Sequence, residues 1–141
     1  MKKMKSLGRL AAIAAISVVM MAGFMSCGDK SDMRDPFIGI YNARYSYVYN
    51  GVQYFSDYIL TVSKSATDDN MIVMSNISDY YYVNARATVQ GSSFSIPQQT
   101  FISLGISGSG QLNGNTLTFS TSETHTDYAG AINVSHTATK Q

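Results

Sequence analysis

From Phe37 to the C-terminus, β-branched, aromatic and aliphatic residues alternate with polar ones, and no stretch keeps a helical repeat. A period of two puts successive side chains on opposite faces, so the chain is expected to fold as a meander of half-buried antiparallel strands. Turn-forming residues place these strands near 37–49, 52–64, 71–77, 81–90, 92–101, 102–112, 115–127 and 132–140.

Two Asn-Gly pairs predict hairpin registers, because a two-residue type I′ turn needs positive φ at both central positions. Asn50-Gly51 sets Tyr49 against Val52, Tyr47 against Tyr54, Ala43 against Tyr58 and Tyr41 against Leu60. The other face then carries Arg44 opposite Asp57 and Val48 opposite Gln53, which suits solvent and leaves the tyrosine face inside. Asn113-Gly114 similarly predicts Leu112 against Asn115, Gly110 against Leu117 and Gly108 against Phe119. Glycines facing large side chains indicate strong curvature. Ile102, Leu104 and Ile106, and Ile132, Val134 and Ala138, continue the inner face.

An open eight-strand sheet would leave two edges ready to pair with other chains. The expected fold is therefore all-β: a single antiparallel eight-stranded up-and-down barrel, with a β-sandwich as the alternative.

Ahead of this domain, residues 1–26 read as an export signal. Lys2, Lys3, Lys5 and Arg9 precede an apolar run from Leu10 to Met25, and Ser26 stands before Cys27. The run is short for a membrane-spanning helix of about 20 residues, and no basic cluster follows it. Cys27 is the single cysteine, so the chain cannot form an internal disulfide. Residues 27–36 are polar and charged and read as a tether, with the barrel domain spanning 37–141. Without the signal, six basic residues face nine acids, a formal −3, which argues against a nucleic-acid partner.

The tetrad Phe24-Met25-Ser26-Cys27 resembles the lipobox of bacterial lipoproteins, including the relaxed form of Bacteroidetes-type chains. The segments Asp35–Tyr41 and Gly108–Phe119 resemble the opening strand and late hairpin of small lipocalin-like lipoproteins. The resemblance implies a lipid anchor on Cys27, an outer-membrane location with the membrane as partner, and a barrel. It implies no particular ligand, since the Gly-x-Trp of true lipocalins is missing from a chain without tryptophan.

Three groups of residues are candidates for function. Tyr41, Tyr45, Tyr47, Tyr54 and Tyr58 on one inner face would offer ring faces and hydroxyls to an enclosed ligand. Tyr80, Tyr81 and Tyr82 cannot all point inward, so they form a candidate surface patch. Glu123, His125 and Asp127 share a strand face. A turn at Ala129-Gly130 would set Glu123 opposite His136, making Glu123, His125 and His136 a candidate metal or proton-exchange cluster. Gly105-Ile106-Ser107-Gly108 misses the nucleophile-elbow spacing, and Asp68-Asp69-Asn70 lacks the spaced ligands of a calcium loop.

The expected function is a non-enzymatic, membrane-tethered binding module, without cofactor, for a small amphipathic ligand or glycan. The alternative is a structural or protein-interaction lipoprotein with a filled barrel and a tyrosine contact patch.

Overall fold

A computed structural model describes residues 31–80, 82–127 and 129–141. The expected export signal and Cys27 lie outside the described residues.

Among the described residues there are eight strands: β1 (Gly39–Tyr49), β2 (Val52–Lys64), β3 (Met71–Ser75), β4 (Asn84–Gln90), β5 (Ser93–Thr100), β6 (Leu104–Asn113), β7 (Thr116–His125) and β8 (Ala131–Lys140). Each pairs antiparallel with the next, and β8 returns to β1, with Tyr41 opposite Lys140 and Ser46 opposite Ser135. The sheet is a closed up-and-down barrel, not a sandwich.

The first hairpin follows the expected register from Tyr49–Val52 down to Tyr41–Leu60. Asn50 and Gly51 both have positive φ, at 50° and 78°, as the turn demands. On its outer face Arg44 bonds Asp57 through two contacts of 2.6 and 2.8 Å and lies over the Phe55 ring.

Two other registers differ from expectation. Between β6 and β7 the turn is Gly114-Asn115, so Leu112 faces Leu117, Gly110 faces Phe119 and Gly108 faces Thr121. Only Gly114 has positive φ there, the glycine-first geometry of a type II′ turn, which competes with the Asn-Gly alternative in Asn113-Gly114-Asn115. Between β7 and β8 the connection runs from residue 126 to 130 rather than through a two-residue turn. Glu123 therefore faces Ile132, and His136 faces Phe119.

Pro97 cannot donate to the sheet, and the β5–β6 register shifts between Ile96 and Gln99. The Gln99 side chain compensates by accepting from the Arg86 amide at 2.9 Å and donating to the Arg86 carbonyl at 2.8 Å. A side chain thereby takes the place of a ladder step between β4 and β5. Ile102, expected inside, lies in the loop after β5 and is fully exposed.

One end of the barrel is plugged. The expected tether through Pro36 is folded from Asp32 onward: Arg34 is buried, paired with Asp32, and donates to the Asp68 carbonyl at 2.8 Å. Lys64 bonds both Asp32 and Asp35, and the Arg34 guanidinium holds the Asp32 carboxyl well below the usual carboxylate range. A 3-10 turn at Asp35–Phe37 then drives Phe37 into the interior, where it meets Phe94 edge-on at 6.1 Å. The Tyr41 hydroxyl donates to the Phe37 carbonyl, and Leu60 and Leu117 belong to the same buried core.

Gly110 is what lets the β6–β7 corner close. A Cβ there would overlap Phe119 and sit 2.8 Å from the Phe94 ring and 2.6 Å from the Thr118 carbonyl oxygen. Gly110→Ala should cost ~1–3 kcal/mol by overpacking. Ser109→Ala, on the outer face of the same strand, should stay within about 0.5 kcal/mol of wild type. Denaturant unfolding of the two variants measures the difference.

Candidate functional site

At the end opposite the plug the barrel is hollow. β2 is long, but it pairs with β3 only from Thr61 to Lys64, so its upper half has no β3 neighbour. The chain after β3 turns over this gap through Asn76, Ser78 and Asp79, all with φ between 54° and 66°. Asn and Asp tolerate this conformation readily; Ser does so less often. Two contacts hold the loop: Asn76 Nδ2 donates to the Ile59 carbonyl at 2.6 Å, and Ile77 is fully buried.

Beneath the loop lies a pocket of about 280 Å³. Tyr45, Tyr47, Tyr49, Tyr54 and Tyr80 form its aromatic wall. Ser78, Glu123, His125, Ile132 and Val134 complete the lining. Tyr47 and Tyr54, register partners across the first hairpin, stack at 5.2 Å with 15° between their planes. Tyr49 and Tyr54 stay partly exposed at the mouth.

A directional chain of hydrogen bonds forms the floor. Thr121 Oγ1 donates to Glu123 Oε1 at 2.8 Å and lies 2.9 Å from His136 Nε2. Since a hydroxyl has one proton, Nε2 must be the donor in the second contact, and Nδ1 accepts from the Tyr58 hydroxyl at 3.0 Å. Ser78 Oγ also donates to Glu123 Oε1, at 2.5 Å. Glu123 is only 3% exposed and His136 only 1%. Burial pushes the His136 imidazole down to about 3 and the Tyr58 phenol upward. His136 is thus a neutral spacer, stacked on Phe119 at 4.2 Å.

The structure gathers some of the expected residues and separates others. Tyr45, Tyr47 and Tyr54 line the pocket. Tyr41 and Tyr58 do not: Tyr41 is packed near the plug and donates to the Phe37 carbonyl at 2.7 Å, while Tyr58 lies below the floor, bonded to His136. Tyr80 turns inward, 3.1 Å from His125 Nδ1, whereas Tyr82 is 97% exposed. Tyr81 lies outside the described residues.

Of the charged strand face, Glu123 and His125 point inward and Asp127 is exposed, because β7 ends at His125. Glu123, His125 and His136 do not converge as a metal site, since the Thr121 hydroxyl stands between Glu123 and His136. Among the described residues no group of three His, Cys, Asp or Glu side chains is placed to hold a metal ion. Sequence reasoning missed Ser78 and Thr121. Thr121 shares the inner face with Glu123 by parity alone, but Ser78 reaches the site through left-handed backbone that nothing in its residue type announces. Comparison with protein-family models and with curated proteins finds no match.

The buried imidazole has a pH consequence. Unfolded, it takes a proton near 6.5; in the barrel it does so only near 3. The unfolded state therefore binds more protons between these values. Stability should fall as pH drops through that window, by up to roughly tenfold in the folding constant per pH unit. His136→Gln should flatten this slope in denaturant titrations across the window; an unchanged slope would assign the acid sensitivity to other groups.

Proposed function

We propose that the protein is a membrane-tethered, non-enzymatic binding module of the bacterial cell envelope that holds a small amphipathic ligand in the upper barrel. The observation carrying this reading is a pocket walled, among the described residues, by Tyr45, Tyr47, Tyr49, Tyr54 and Tyr80 and floored by buried polar groups. Apolar ring faces fit the body of an amphipathic molecule, and a few fixed polar atoms below fit its head. The volume is at the small end of ligand pockets, so the ligand is small. The chemistry of the floor supports binding rather than turnover: its imidazole is neutral and buried, and both of its nitrogens are engaged.

The tether reading rests on the signal-like N-terminus and the lipobox-like tetrad ending at Cys27. Two or more acyl chains would give stable attachment where one gives only marginal binding. The alternative, a structural or protein-contacting lipoprotein, draws support from the packed lower barrel and from Tyr82 standing in solvent.

Two experiments test the proposal. Screening small amphipaths against the full chain by NMR should give saturable shifts centred on the rings of the pocket tyrosines Tyr45, Tyr47, Tyr49, Tyr54 and Tyr80, and Tyr47→Ala with Tyr54→Ala should abolish them. Shifts scattered over the outer surface would count against the pocket. For the tether, Cys27→Ser should move the full-length protein from the membrane fraction to the soluble envelope fraction of a bacterial host; a protein that stays with the membrane would exclude the anchor.

A further inference from the structure

Among the described lining residues Glu123 is the one acidic side chain, and neither lysine nor arginine accompanies it. Its Oε1 is occupied by two hydroxyl donors, Ser78 and Thr121. The other carboxylate oxygen, Oε2, is turned toward His125, whose Nε2 stands 3.6 Å away, beyond normal hydrogen-bond reach. His136 supplies no compensating cation, because its Nε2 proton goes to Thr121 and Nδ1 is taken by Tyr58. Both hydroxyls that donate to Glu123 are therefore directed toward one of its oxygens, and the second oxygen is an acceptor on the pocket side.

The wall above has complementary chemistry. Aromatic rings present a negative face, and a cation held near one is attracted by it. Tyr47 is in ring contact with Tyr45 at 6.2 Å and with Tyr54 at 5.2 Å, and all three line the pocket. Tyr80 and Glu123 line it as well. An acceptor-rich floor beneath an aromatic wall disfavours a carboxylate or phosphate, which would meet the Glu123 carboxylate with no lysine or arginine among the described lining residues to offset it.

We propose that the pocket selects a small organic cation: a protonated amine that donates to Glu123 Oε2 while its apolar portion lies against the tyrosine rings. This rests on the reading of the barrel as a binding module and names the class of ligand that the module takes. Ser78 and Thr121 act as positioning residues, since each fixes Oε1 and leaves Oε2 to the ligand.

The test uses three compounds of similar size and shape but different charge: 2-phenylethylamine, 2-phenylethanol and phenylacetate. Each is titrated into the full chain and followed by NMR of the tyrosine rings and by calorimetry. The amine should bind roughly tenfold or more tightly than the alcohol, and phenylacetate more weakly than either. Glu123→Gln should bring the amine down to the affinity that the same variant shows for the alcohol. If Glu123→Gln does not fold, the order of the three compounds on the unaltered protein decides the matter. Equal affinities, or preference for phenylacetate, at the tyrosine rings would overturn the cation reading and leave the binding module standing. Absence of binding by all three at millimolar concentration would overturn both.

Discussion

β1 has two partners. It pairs along its whole length with β2, and from Tyr41 to Ser46 with β8, the last strand of the chain. This second pairing converts a meander into a barrel, removes both sheet edges, and confines every inward side chain to one small interior. An eight-stranded barrel has room for side chains or for one small ligand, and this chain divides the space between the two. Phenylalanine and aliphatic side chains fill the plugged half; tyrosines, hydroxyls and a carboxylate border the hollow half.

The division follows from where polar atoms can find partners. A buried carboxylate is tolerated only when it is well bonded, and Glu123 receives hydroxyls from β7 and from the loop after β3. The loop in turn keeps Ser78 in left-handed backbone because Ile77 is buried beside it and Asn76 bonds β2. The floor and the loop that covers it thus stabilise each other. A network of this kind resists partial change, because removing one hydroxyl leaves a buried acceptor short of a donor.

Much of this architecture was legible in the sequence because strand parity is robust. The expected β6–β7 register was off by two residues and the β7–β8 register by four, yet both errors were even, so inner residues stayed inner. That is why the inward face expected for Leu117, Phe119, Val134 and Ala138 holds in the structure, although their cross-strand neighbours differ. Ile102 failed because the strand it was assigned to begins two residues later, at Leu104. What stayed illegible depends on contacts between segments distant in sequence. Arg34 looked like part of a solvated tether until Asp32 and the carbonyls of the 65–71 region claimed it. Ser78 had no periodicity to mark it, and its role depends on Glu123, 45 positions further along the chain. Tyrosine content suggested a ligand-facing wall, but depth along the barrel axis separates Tyr45, Tyr47 and Tyr54 from Tyr41 and Tyr58, and a face assignment carries no depth.

The plug also determines how the domain presents itself. The chain enters at Asp32 and Arg34 and leaves at Lys140, whose ammonium bonds the Pro36 carbonyl at 3.0 Å, while the Gln141 amide reaches Ile40. Both ends of the fold therefore lie at the same pole, and the tyrosine mouth is at the other. A barrel attached to a surface through its N-terminal side would be held like a cup by its base, with the rim turned toward the surrounding medium. Solutes could then reach the pocket without crossing the attachment side, and the attachment could be lengthened or shortened without reshaping the rim.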